Sequence, residues 1–234
     1  MKFHQILERG TQVPLSSHQA VYYHFGDHKY SLDALSRCQD SVRETPVTNI
    51  VLGEQVHGNE VKIINPSDLT QQMIVVPHVD GLVTKQRNVL LCIKTADCVP
   101  VLLYDAHAEV IGAVHAGRDG TRQNIIAEAV KNMRILGAES QRINALLGPA
   151  ICSKHYPVND ELFWQFVKDT GQTQRHPWLD MKKVLIAQLV EAGVCVDRIQ
   201  NDATCTWESD NYFSYRKNGD KERQISWIYR GLPC

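Results

Sequence analysis

Three short apolar runs follow one another at residues 89–93, 99–104 and 110–114, each rich in β-branched residues and short enough to be a buried strand. They commit the middle of the chain to sheet. Thr95-Ala96-Asp97-Cys98 separates the first two runs, and His115-Ala116-Gly117 closes the third. A thiol and an imidazole are thereby placed at the ends of strands expected to lie side by side. Such a pair is either a nucleophile with its base or two ligands of a metal.

Around this centre the pattern mixes strands and helices. Short apolar pieces around Val13 and at residues 20–23 read as edge strands. Residues 31–42 have Ser31 as N-cap, Leu32, Leu35 and Val42 at helical spacing and Pro46 beyond, which predicts a helix carrying Arg37. Strands are expected at 49–52 and 61–64, with His57 in the irregular segment between them and Gly58 supplying a positive φ. Asp80-Gly81 leads into a strand at 82–84. After His115 a glycine-punctuated loop, 116–121, runs into a helix at 124–136 that Gly137 stops. A strand at 142–147, amphipathic helices at 161–168 and 181–192, and strands at 199–200, 204–206, 212–216 and 224–229 complete the pattern. With no linker and no repeat, the simplest organisation is one α/β domain over residues 1–234.

Hydrophobic residues make up 43% of the 234, enough for one sizeable core. Formal net charge is -1, from 25 basic and 26 acidic residues without long runs of one sign. Neither a nucleic-acid groove nor an anionic membrane surface is advertised. Seven cysteines without regular spacing point to a reduced, intracellular protein. No segment has the build of a signal peptide or approaches the ~18 apolar residues of a membrane span, so the cytoplasm is the expected location.

His57, Cys98 and His115 each stand at an expected strand end close to a small residue (Gly58, Ala96, Ala116). Singly, each has a plain structural reading: a free cysteine is most often a small buried hydrophobe, and strand-end histidines are commonly hydrogen-bonded structure. Their spacing matches no compact CxxC or HExxH pattern. The words around them decide the matter. QVHG (55–58), TADCVPVLL (95–103), GAVHAG (112–117), LGPAIC (147–152), and CTW followed by YFSYR (205–207, 212–216) occur in this order. Over residues 47–229 they resemble the laccase-domain family, whose members are described as YfiH-like proteins, polyphenol oxidases, purine nucleoside phosphorylases or peptidoglycan editing factors.

The resemblance implies an α-β-β-α layered fold with mixed sheets. It also implies a zinc ion, with copper as the alternative, bound in a pocket by one cysteine and two histidines, here Cys98, His57 and His115. Two imidazoles and a thiolate leave tetrahedral zinc one open position, the arrangement of a catalytic site, where water is activated or a substrate atom polarised. The implied substrates are purine nucleosides with phosphate: phosphorolysis of adenosine, inosine, guanosine and methylthioadenosine, and hydrolytic deamination of adenosine. Asp97, beside the thiol, and Asp80 are candidate carboxylates that orient ligands or accept protons, and equally candidate turn caps. Phosphorolysis requires arginine to compensate phosphate. Arg37 falls where the family has a pocket arginine ahead of QVHG, and Arg216 matches a second; each also reads as a surface or ion-pair residue. The chain departs from the family's usual HAGWRGT, with Arg118 in place of tryptophan and Asp119 in place of arginine, so an aromatic surface is lost and a positive charge is moved.

Two further chemistries stay open at the level of residues. Cys98 as nucleophile with His115 as base would make an amidase-like hydrolase, suited to editing peptidoglycan precursors. A copper-dependent polyphenol oxidase is weaker: blue-copper chemistry wants an axial ligand, commonly methionine, and none of the four methionines stands near the site motifs.

Overall fold

In a computed structural model of the chain the described residues are 10–16, 19–29 and 47–231. The helix expected at 31–42, with Arg37, lies outside them. The described strands are β1 (Thr11–Ser16), β2 (Gln19–Phe25), β3 (Asn49–Gly53), β4 (Val61–Ile64), β5 (Met73–Val76), β6 (Gly81–Thr84), β7 (Val89–Thr95), β8 (Val99–Asp105), β9 (Val110–Ala116), β10 (Asn144–Leu147), β11 (Ile199–Asn201) and β12 (Gln224–Gly231). They form two mixed sheets, ordered β1-β2-β12-β7-β3-β5 and β11-β10-β8-β9-β6-β4.

The topology explains where the site falls. β5 and β7 both run parallel to β3. In the other sheet β4 is parallel to β6, and β6 and β8 are both antiparallel to β9. Three like-directed strands of the first sheet therefore each hand the chain to one of three like-directed strands of the second: β3 to β4, β5 to β6 and β7 to β8. The three crossings, residues 54–60, 77–80 and 96–98, emerge at one end of the sandwich. They carry His57, Asp80 and Asp97-Cys98. This threefold repetition is invisible as a sequence repeat because the crossings differ in length and composition.

The sheets pack through one apolar layer. Val51, Leu91 and Ile228 of the first sheet meet Leu82, Leu102, Ile111 and Leu146 of the second. The second sheet's other face buries Val101, Leu103 and Val114. Against it pack helices α2 (Ile125–Ile135), α3 (Asp160–Thr170) and α4 (Met181–Glu191), through Ile126, Ala129 and Met133, Phe163 and Phe166, and Val184 and Leu185. Strands buried on both faces read as continuous apolar runs, and β8 and β9 are buried at every residue. The outer face of the first sheet gathers Tyr22, Ile50, Leu90, Trp227 and Tyr229.

Several expectations are corrected. The first apolar run, β7, belongs to the other sheet from β8, so only the second and third runs lie side by side, with Val99 opposite Ala116 and Pro100 opposite His115. β2 is an interior strand between β1 and β12. The start of the strand expected at 142 is the end of a 3-10 turn, Ser140–Arg142. Residues 204–206 contribute only an isolated bridge from Cys205 to Ala150. The strand expected at 212–216 is instead bent into a cap and a short helix, α5 (Tyr215–Asn218). Its aromatic residues are β-formers, but Ser214 and the Arg216 amide are drawn to Asp97. Among the described residues no helix is long and apolar enough to cross a membrane.

Candidate metal centre

His57, Cys98 and His115 come together: one ligand atom from each lies within 4.8 Å of the other two. His115 is placed by strand pairing at the end of β9 and is buried. Cys98 is the last residue of the third crossing, half-buried, immediately before β8. His57, exposed, stands on the first crossing and itself takes the positive φ, 64°, rather than passing it to Gly58. Its ring meets that of His115 edge-on, with centroids 4.9 Å apart.

Asp80 on the second crossing joins these elements. Its buried carboxylate accepts from the backbone amides of Val56, His57 and Gly58 at 3.1, 3.0 and 2.8 Å. It lies 2.7 Å from His115 Nδ1. An ionised carboxylate only accepts, so Nδ1 carries a proton and Nε2 is the nitrogen left for a second partner. Burial acts to raise the Asp80 carboxyl, but the hydrogen bond and charge of His115 and the backbone amides outweigh it and hold the group low. Gln55 fixes the same crossing from the other side: its side-chain amide donates to Lys94 O at 2.7 Å, and its oxygen accepts from Lys94 N at 2.8 Å.

Electrostatics favour a charged pair. Burial works to raise the Cys98 thiol, but the neighbouring His115 and then His57 overcome it and bring it to about 6. Burial opposes protonation of His115, yet Cys98 and Asp80 raise it to about 9.

Both oxygens of Asp97 are engaged by the C-terminal loop. Oδ1 accepts from the hydroxyls of Thr206 and Ser214, both at 2.7 Å, and Oδ2 from the Arg216 amide at 2.7 Å. It holds the C-terminal loop against the crossing at a φ of 82°. The loop expected after His115 contains a helical turn, α1 (Arg118–Arg122), opened by Gly117. One glycine here is required by close approach, and a second sits in a tight space. A Cβ on Gly120 would lie 2.5 Å from Gly58 O, so the turn could not close on the His57 segment. A Cβ on Gly117 would meet His57 Cδ2, Cys98 Sγ and His115 Cε1 at 3.2, 3.5 and 3.5 Å. The space among the three donors is thus kept clear by a missing side chain.

The three donors line a pocket of ≈ 570 Å³ together with Arg118, Arg216 and Tyr156. Arg118 is paired to Asp119 at 3.0 Å. The Arg216 guanidinium lies over the Tyr156 ring at 5.3 Å and donates to Pro157 O. Tyr156 and Arg223 escaped the sequence reading, since each stands in a segment without periodicity. Met181, which stands far from the site motifs in sequence, also lines the pocket, arriving from α4.

A sequence model described as multi-copper polyphenol oxidoreductase laccase matches residues 9–231. A purine nucleoside phosphorylase of Corynebacterium glutamicum is 36% identical over 212 residues, 88% of this chain and 84% of that protein. One of Streptomyces griseus is 36% identical over 187 residues, 77% of this chain and 74% of its own. Among solved structures, YlmD from Geobacillus stearothermophilus is 26% identical with a TM-score of 0.76, covering 95% of this chain and 97% of that one. YfiH of Bacillus licheniformis, at 24% identity, shares the fold with a TM-score of 0.77, covering 93% and 97%.

Proposed function

Since the chain belongs to the multi-copper polyphenol oxidoreductase laccase family, we propose that it is a metal-dependent purine nucleoside phosphorylase. In this reading His57, Cys98 and His115 hold zinc, and arginines of the same pocket receive phosphate. One observation carries the reading: two imidazoles, a thiol and the guanidinium-bearing residues Arg118 and Arg216 line a single pocket, in a chain whose relatives bear that enzyme's name. The residues fit the ion. Two nitrogens and one sulfur form a zinc donor set with one position left over, and the Gly117 gap leaves room among them. When bound, zinc supplies a Lewis acid at that position.

The chain's own residues do the rest. Asp80 fixes the His115 ring and its tautomer and anchors the amides of the His57 segment, so two ligands share one support. Arg118, charged and steadied by Asp119, takes the place of the family's tryptophan and offers two donors in a fixed fork to phosphate. Tyr215, largely exposed at the pocket, supplies an aromatic face for a purine. A phosphate oxygen bonds to the anomeric carbon as the glycosidic C–N bond breaks, and the base leaves with the bonding pair and takes up a proton. Asp97 serves as a positioning residue for the Cys98 segment, and hydrolytic deamination of adenosine is a second activity of the same pocket.

The contact between Cys98 and His115 favours one other reading, a nucleophilic thiol with its base in an amidase-like hydrolase. Elemental analysis of protein purified without added metal separates zinc from copper. Incubation with inosine and adenosine, with and without phosphate, then tests the reaction. Free base and ribose 1-phosphate formed only with phosphate support phosphorolysis, and inosine formed from adenosine without phosphate reports deamination. A folded, metal-loaded protein that turns over neither nucleoside overturns the proposal. Rapid alkylation of Cys98 in metal-replete protein would favour the thiol nucleophile, because a zinc thiolate is protected.

A further inference from the structure

Two other cysteines meet beside Asp97. Cys152 follows Ile151, whose amide donates to Asp97 O at 3.0 Å. Cys205 precedes Thr206, whose hydroxyl donates to the Asp97 carboxylate. The two segments are tied by backbone bonds, Ala150 N to Thr204 O at 3.3 Å and Thr206 N to Ala150 O at 3.1 Å. The Cys152 amide points at Cys205 Sγ from 3.2 Å. Glu208 closes the group: its carboxylate lies 4.0 Å from Cys152 Sγ, and the two sulfurs and a carboxylate oxygen are all within 4.8 Å of one another. Behind Glu208, His155 Nε2 contacts Oε1 at 3.0 Å, and the His155 ring stacks on Trp207 with centroids 3.8 Å apart.

We propose that Cys152, Cys205 and Glu208 form a second metal site for a thiophilic divalent cation such as zinc, with His155 as the residue that positions Glu208. The residues stand as Cys152-x-x-His155 and Cys205-x-x-Glu208, two pairs at the short spacing from which thiolate zinc sites are built. Zinc bonds of ~2.3 Å to sulfur and ~2.0–2.2 Å to oxygen put tetrahedral ligands roughly 3.5–3.8 Å apart. The present separations, all within 4.8 Å, leave only a short closure to that geometry. Two thiolates and a carboxylate around a divalent ion leave one negative charge. The Lys182 ammonium beside both cysteines, itself bonded to Asp202 O, balances it. A carboxylate held by histidine repeats, with the roles exchanged, the way Asp80 holds His115. The site staples the two segments that fix Asp97, and so supports the peptide carrying Cys98 without touching its pocket.

Zinc is the probe. The metal-free, reduced full-length protein is titrated against a chromophoric competitor, and the equivalents bound are compared between wild type and Cys152→Ser/Cys205→Ser, with circular dichroism to confirm folding. The variant should bind one equivalent fewer than wild type. Because that double change could unfold the loop, Glu208→Gln and His155→Ala provide a second measurement at side chains reached by solvent. Each should weaken the same equivalent by about 10–100-fold, and Cys98→Ser should leave that equivalent in place. An unchanged count and affinity in the folded double variant, or in Glu208→Gln and His155→Ala, overturns the proposal. So does a Cys152–Cys205 disulfide that persists in the reduced protein and blocks titration.

Discussion

Asp80 and Asp105 are two buried carboxylates at opposite ends of the same sheet, and they are built alike. Asp80 collects the amides of Val56, His57 and Gly58. Asp105, at the end of β8, collects those of His107, Ala108 and Glu139 at 2.9, 3.1 and 3.0 Å. Each adds one nitrogen side chain, His115 for Asp80 and Arg142 for Asp105. In both, burial acts to raise the carboxyl and the surrounding donors outweigh it. The difference lies in the fourth partner. Arginine remains charged and passes only to the exposed Glu139 carboxylate on its own turn, whereas imidazole has a second nitrogen and passes the carboxylate's influence on to Cys98 and His57. The same local device is a loop clasp at one end and the support of the candidate metal ligands at the other.

The largest effect that tests this contrast is expected from Asp80→Ala. Three amides and a buried imidazole lose their acceptor, so stability should fall by about 3 kcal/mol or more and nucleoside turnover should be lost. Asp105→Ala should cost a similar amount, about 3 kcal/mol by denaturant unfolding, with turnover per folded molecule unchanged. Equal activity loss in both variants would break the distinction. A finer division comes from the isosteric changes: Asp80→Asn should weaken metal binding by about 10–100-fold, and Asp105→Asn should leave it as it was.

Acid provides a smaller test. Asp105 is held below its ordinary value, so its contribution is complete above the unfolded value of about 3.9 and disappears as pH falls through the lower folded one. Unfolding curves of wild type and Asp105→Asn should therefore converge on acidification. The smallest effect is expected from Cys98 and His115. Their folded values, about 6 and about 9, exchange places with the ordinary 6.5 of histidine and 9.0 of cysteine. Folded and unfolded states then release their two protons over nearly the same pH windows. The stability difference between metal-free wild type and a Cys98→Ala/His115→Asn variant should be almost flat from about pH 5 to 10, and a slope approaching about 1.4 kcal/mol per pH unit below 6.5 or above 9, from an imidazole lowered and a thiol raised by burial alone, would show that the pair is not formed.

What the sequence made legible follows from the length scale of each signal. The buried strands at 89–116 were readable because both faces are covered, which leaves an unbroken apolar run. The family words around His57, Cys98 and His115 marked residues that the structure brings together. Which sheet each run joins was not readable, since the crossing at 96–98 is too short to be told from a hairpin by composition. Residues 212–216 were misread for a related reason: Tyr212, Phe213 and Tyr215 have strand propensity, but the geometry is set by Asp97, 117 residues before Ser214. Cys152 and Cys205, 53 residues apart, did not show as a pair because their relation is made by the bridge between Ala150 and Cys205.

The three crossings at one end of the sandwich have a mechanical consequence. An ion held by His57, Cys98 and His115 would grip the first and third crossings directly and the second through Asp80, and would so act as a rivet through both layers where the chain passes between them. Ligand that binds only the folded state adds its binding energy to stability, about 2.7 kcal/mol at a hundred times Kd. Here that gain would be spread across both sheets, because separating either from the other at this end requires the rivet to break. Amide exchange at Val56, His57 and Gly58 on one crossing, and at Ile151 packed on another, should slow together as metal is added.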